Sequence, residues 1–180
     1  MKKFILTYGL LSGLLCSIWM FFSAAISMDL MMDIGMVLGF ATMILAFSFI
    51  FVAIVKYRNN VNNGVITFGQ AFKIGAAIAF IASTIYVITW MIEFHFFIPD
   101  FFEKYTAACI KKMQADGVAQ VEIDKTLKDM QEQGVMYKNN AFYRILATYL
   151  EILPVGILIS LIAALTLKRK SKQSDAVVAE

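Results

Sequence analysis

The sequence predicts an all-α membrane protein: a bundle of four transmembrane helices, with a helical hairpin outside the bilayer between spans three and four. Three observations predict it. Four apolar stretches, about 4–26, 34–55, 74–96 and 141–167, each supply the roughly 20 helical residues that a hydrocarbon core about 30 Å thick requires. The 180 residues are 60% hydrophobic and 16% charged, with a mean hydropathy of +0.72, a balance that fits no soluble domain of this size. Between the third and fourth stretches, residues 98–134 keep a helical period but are ordinary in polarity. One membrane domain, 1–170, uses up the length, and the polar tail 171–180 is expected to be disordered.

Span one follows Lys2 and Lys3 and carries Gly9, Gly13 and Ser17 four apart, a spacing that brings small residues onto one helical face. Ser23-Ala24-Ala25 resembles a signal cleavage site. The apolar run exceeds the usual 7–15 residues of a signal core, and Trp19 to Phe22 crowd the site, so the span is expected to be retained. Leu15 before Cys16 stands against a lipidation signal. Span two has the pair Gly35 and Gly39 near one end. After it, Asn63-Gly64 reads as a turn, and Thr67 with Gln70 has capping-box spacing, placing the start of the third helix at about Phe68. Span three carries Gly75, Ala79 and Ser83, and span four Gly156, Ser160 and Ala164. Packing within one bundle explains these stripes more simply than a dimer seam. Pro154, next to Gly156, frees the carbonyl of Leu150 and marks a candidate kink.

In the connecting segment, Pro99, Asp100 and Glu103 suit the first turn of a helix, and Gly117 suits its end. Ile98, Phe101, Phe102, Tyr105, Cys109 and Met113 fall on one face. A second helix is read from about Val121 to Gln133, with Ile123, Leu127 and Met130 on one face and Gly134 closing it. The two form the expected hairpin.

Basic residues set the orientation. Lys2, Lys3, Lys56, Arg58, Lys73, Lys168, Arg169, Lys170 and Lys172 fall on one side, while the short loop between spans one and two holds Asp29 and Asp33 and no basic residue. Both termini are therefore expected in the cytoplasm and the hairpin outside. The six lysines of the hairpin are offset by its acids, and long translocated loops obey the rule less strictly. The net charge of +3 reports topology and gives no support to a nucleic-acid partner. The depths of Cys16 and Cys109 make a disulfide between them implausible.

Ionisable groups inside a span are costly and are candidates for function. Arg144, Thr148 and Glu151 share one face of span four, and Tyr86, Trp90 and Glu93 share one face of span three, with His95 beside them. Counting about 20 residues back from Lys168 places Glu151 roughly one turn inside the membrane. Glu93, His95, Arg144 and Glu151 thus form a polar cluster at the outer mouth, with Arg144 able to pair with either carboxylate. It is a candidate proton-responsive or ion-binding site or, more simply, a set of interfacial side chains satisfied by one another and by water. No nucleophile with its base, no Cys/His metal cluster and no glycine-rich nucleotide loop is present, so neither an enzyme nor a cofactor is expected.

Gly64-Val65-Ile66-Thr67-Phe68-Gly69-Gln70-Ala71-Phe72-Lys73, Phe97-Ile98-Pro99-Asp100-Phe101, and Leu153-Pro154-Val155-Gly156 through Leu167-Lys168-Arg169 occur in that order. Together they resemble a family of small four-span bacterial inner-membrane proteins, common in Bacteroidota and known only as a domain of unknown function. The resemblance spans essentially the whole chain and implies the fold, but no activity or site residue. Two functions are expected: a structural or interaction protein meeting an envelope protein or a second copy, or a small transporter or ion-responsive protein using the polar cluster.

Overall fold

The structure, a computed structural model, describes residues 1–24 and 30–169. Residues 25 and 26 of the first span, Asp29, Lys170, Lys172 and the tail 171–180 lie outside the described residues. Among the described residues six α-helices follow one another: α1 (Lys2–Ala24), α2 (Met36–Asn60), α3 (Phe68–Phe96), α4 (Phe101–Ala115), α5 (Gln120–Asn139) and α6 (Ala141–Leu167). A π-helical turn, Met31–Gly35, leads into α2. The helices α1, α2, α3 and α6 are long and apolar enough to cross a membrane, the architecture of a multi-pass membrane protein.

Local chemistry sets the helix ends. Asn63 and Gly64 both take positive φ (50° and 80°), turning the chain after α2. The Thr67 hydroxyl accepts from the Gln70 amide and the Gln70 side chain accepts from the Thr67 amide, both at 3.2 Å, so α3 opens on a reciprocal cap. Asn140 separates α5 from α6 and caps the latter, its side chain accepting from the Tyr143 amide at 3.1 Å. Pro154 sits inside α6, which continues as one helix to Leu167.

Packing follows the small residues. A Cβ added at Gly9 would stand 2.9 Å from Cβ of Ile81, and one at Gly13 would stand 2.8 Å from Cβ of Ile85, so α1 lies close along α3. On the other side of α3, Gly75 meets Ser160 and Gly156 meets Ala79 and Phe47, which brings α6 against α3 and α2. A Cβ added at Gly39 would stand 3.8 Å from Trp19 Nε1 of α1, an ordinary contact, and one at Gly35 would meet Met31 of its own turn. Polar side chains add interhelical bonds: Ser12 donates to the Ala46 carbonyl, and the Ser17 and Thr89 hydroxyls meet, each at 2.8 Å. Leu6, Leu10, Leu14 and Ile18 form an exposed stripe along the outside of α1. In water such a stripe would be a liability; in lipid it is the ordinary exterior.

The two ends of the bundle differ in charge. At one end Ile66 and Arg169 exchange backbone hydrogen bonds, Arg58 donates to the Leu167 carbonyl and Phe4 packs on Tyr57, which gathers the N-terminus, the α2–α3 loop and the end of α6. Lys2, Lys3, Lys56, Arg58, Lys73, Lys168 and Arg169 belong to this end, and no acid does among the described residues. The other end carries α4 and α5. These pair with the start of α4 against the end of α5, through Glu103 with Lys138 (2.7 Å) and the rings of Phe102 and Tyr137. Lys112 also reaches Asp33 at 3.0 Å, tying α4 to the turn before α2.

Here the structure departs from the expected boundaries. Gly134 does not end α5, which continues to Asn139. Its missing side chain admits Phe102 instead, since a Cβ there would stand 2.8 Å from the Phe102 ring. Gly117, with φ of 72°, does follow α4.

Candidate functional site

The inner faces of α3 and α6 meet beneath α4 and α5. On α3, Tyr86, Trp90 and Glu93 recur at intervals of four and three, and on α6 Thr148 and Glu151 stand three apart; both stripes line one cavity of about 540 Å³. That volume lies in the range of small-molecule sites, roughly 300–1,000 Å³. From α1 and α2 come Cys16, Trp19, Met43 and Gly39, and Phe101, Phe102 and Tyr105 of α4 roof the space. Trp90 is clamped there. Its indole N–H donates to the Tyr137 hydroxyl, and its ring meets Phe101 edge-on at 5.0 Å. Burial raises the Tyr137 phenol above its ordinary range, so it stays protonated at neutral pH.

Two carboxylates share this cavity, and their surroundings differ. Glu93 is 1% exposed, and its Oε1 has no hydrogen-bond partner among the described residues. It also stands in the last turn of α3, where the helix dipole is negative, so neither solvent, partner nor dipole favours an uncompensated anion. Glu151 is exposed by area and lines the cavity from well inside α6. The Tyr86 hydroxyl donates to its Oε1 at 3.2 Å. Among the described lining residues there is no Lys, Arg or His, so the interior field is set by the two acids.

Arg144 and His95 fall elsewhere. The Arg144 guanidinium donates to the carbonyls of Tyr137 (2.7 Å) and Lys138 (3.3 Å), contacts the Met91 sulfur, and lies 4.4 Å from the centre of the Phe94 ring. It therefore caps the C-terminal carbonyls of α5 and joins that helix to α3 and α6, with no carboxylate among these partners. His95 is exposed, packs against Phe96, and borders a shallow groove with Arg144 on another side of the bundle. Of the four predicted residues, the structure brings together Glu93 and Glu151. Among the described residues no three His, Cys, Asp or Glu gather as a metal site.

A helix that ends at Gly134, as the sequence leads one to expect, leaves Tyr137 outside it, whereas α5 carries it inside. Extending the stripe Ile123, Leu127, Met130 by one more helical repeat lands on Gly134 and Tyr137, so the signal was present. The sequence allows the face of Phe101, Phe102 and Tyr105 to pack on the second hairpin helix, rest on the bilayer surface or meet a partner; in the structure Phe102 packs on α5, and all three also line the cavity.

The sequence model of a family described as a protein of unknown function, DUF4199, matches residues 7–169. No curated protein and no solved structure matches the chain.

Proposed function

This chain belongs to the DUF4199 family of proteins of unknown function, and from that premise we propose that it is a small membrane transporter or proton- and ion-responsive protein working through the cavity, with Glu93 and Glu151 as its working groups. One observation carries the reading: a carboxyl oxygen of Glu93 is buried without a partner among the described residues, in the wall of a cavity that also holds Glu151. A purely structural bundle gains nothing from that cost, whereas a carboxyl group that exchanges a proton or meets a cation is served by an oxygen left free to do so. The proposal includes a bacterial inner membrane with both termini cytoplasmic, supported by the basic residues gathered at one end of the bundle. Catalysis forms no part of it.

The test is charge movement after a pH jump, recorded from proteoliposomes adsorbed on a solid-supported membrane. Wild-type protein is expected to give a transient at least tenfold larger than the Glu93→Gln/Glu151→Gln double variant at equal loading. Equal transients would overturn the reading.

A second reading, an envelope interaction protein or homo-oligomer, has in its favour the exposed apolar side chains Val121, Val135 and Met136 of α5, outside the candidate spans. Crosslinking through half-exposed Cys109 in intact membranes would trap a dimer or a partner if it is correct.

A further inference from the structure

The chemistry of the cavity walls narrows what it takes. Two carboxyl groups and, among the described lining residues, no cationic side chain exclude an anion, which would find no positive partner and would meet a like charge wherever either acid is ionised. A neutral lipophile would fill the volume and leave Glu93 Oε1 as unpartnered as before. A bare metal ion is served poorly as well: hard cations want six or more oxygens, whereas the Tyr86 hydroxyl is committed to Glu151 and the Thr148 hydroxyl to the Arg144 carbonyl. What remains on the walls is aromatic and thioether surface, represented by Trp90, Phe101 and Met43. Aromatic rings beside a counter-charge are the recognition chemistry of organic ammonium groups, and about 540 Å³ leaves room for bulky substituents.

We propose that the cavity binds a lipophilic organic cation, a quaternary or protonated amine or its phosphonium equivalent, with Glu93 and Glu151 as counter-charges and Trp90 and Tyr86 as ring partners. This rests on the reading of the cavity as the working site and adds the class of its ligand. The Glu93 carboxylate supplies the unpartnered oxygen, Glu151 the solvent-accessible one, and the apolar walls strip water from the cation's substituents.

Tetraphenylphosphonium and tetraphenylborate make a matched pair of nearly equal size and opposite charge. With purified full-length protein in a scintillation proximity assay, labelled phosphonium is expected to bind saturably, and borate to compete at least tenfold more weakly than unlabelled phosphonium. Glu93→Gln and Glu151→Gln should each weaken binding tenfold or more, while Glu122→Gln on exposed α5 leaves it unchanged. Equal competition by the two ions, no saturable binding, or unchanged affinity in both cavity variants would overturn the proposal. If a Gln variant folds poorly, the competition result on wild-type protein decides alone. A carboxylate-dependent pH-jump transient without phosphonium binding would remove the organic cation and keep the working site. Loss of both would remove the two together.

Discussion

Glu93 and Ser83 are the two described residues with a buried side-chain oxygen that meets no hydrogen-bond partner, and they call for different explanations. Ser83 continues the small-residue stripe of α3, so its size explains its presence and its hydroxyl is incidental. An orphaned buried hydroxyl costs about 1–3 kcal/mol, and Ser83→Ala is expected to raise the thermal midpoint in detergent. Ser12→Ala, which deletes the bond to the Ala46 carbonyl, is expected to lower it slightly, by about 0.6 kcal/mol on the membrane-protein average. Opposite signs for two Ser→Ala changes in neighbouring helices are the check. Glu93 has no packing excuse, since an apolar side chain of the same length would fill its place without an orphan. Glu93→Met is expected to stabilise by about 1–3 kcal/mol, a rise of about 2–4 °C per kcal/mol at this chain length, while abolishing the pH-jump transient. A large fall in midpoint would show instead that the carboxylate holds the fold together.

Between helices, close approach is decided by positions where a methyl group has nowhere to go. At Gly13 and Gly156 an added Cβ would sit within 2.8 Å of side-chain carbons on the facing helix, and those carbons are near the backbone or in a packed ring. Gly13→Ala or Gly156→Ala must therefore push helices apart, at a cost of about 1–3 kcal/mol each. Gly69, in the first turn of α3, has nothing within 4 Å, so Gly69→Ala is expected to be neutral or stabilising by up to about 1 kcal/mol. Denaturation midpoints of the three variants check the contrast. The pairing of α4 with α5 answers to pH as well. Hydrogen bonding to Lys138 holds the Glu103 carboxyl below the usual carboxylate range. A depressed folded value means stabilisation that is present above the ordinary value of about 4.3 and is lost as pH falls through the folded one. Both side chains are more than half exposed, so the gain is small, about 0.2–1 kcal/mol. In a Trp19→Phe background, the emission of Trp90, which bonds Tyr137 in α5, is expected to shift below about pH 4. Glu103→Gln should remove that step.

For the whole molecule, the four spans were legible because lipid imposes length and apolarity on any helix that crosses it, and neither depends on the neighbours a helix finds. The cap at Thr67 and the turn at Asn63-Gly64 were legible for the same reason, being local chemistry. The grouping of the polar cluster was not. Glu93, His95, Arg144 and Glu151 lie at similar depth in the sequence, but α3 and α6 are cylinders, and which side each residue faces depends on the rotation set by Gly75 against Ser160 and Gly156 against Ala79. That rotation turns Glu93 and Glu151 inward together and leaves His95 outside, while the carbonyls ending α5 take Arg144. The same packing makes the proposed orientation testable with the native cysteines. Cys16 is buried in the bundle, whereas Cys109 lies half-exposed on α4, at the end opposite the basic one. If both termini are cytoplasmic, a membrane-impermeant maleimide added to intact cells should label Cys109 and leave Cys16 untouched, and Cys109→Ser should abolish labelling. The basic end of the bundle would then face the cytoplasm, as retention of Lys and Arg requires. Labelling of Cys109 only after the cells are broken open would invert the topology and move the cavity to the cytoplasmic side.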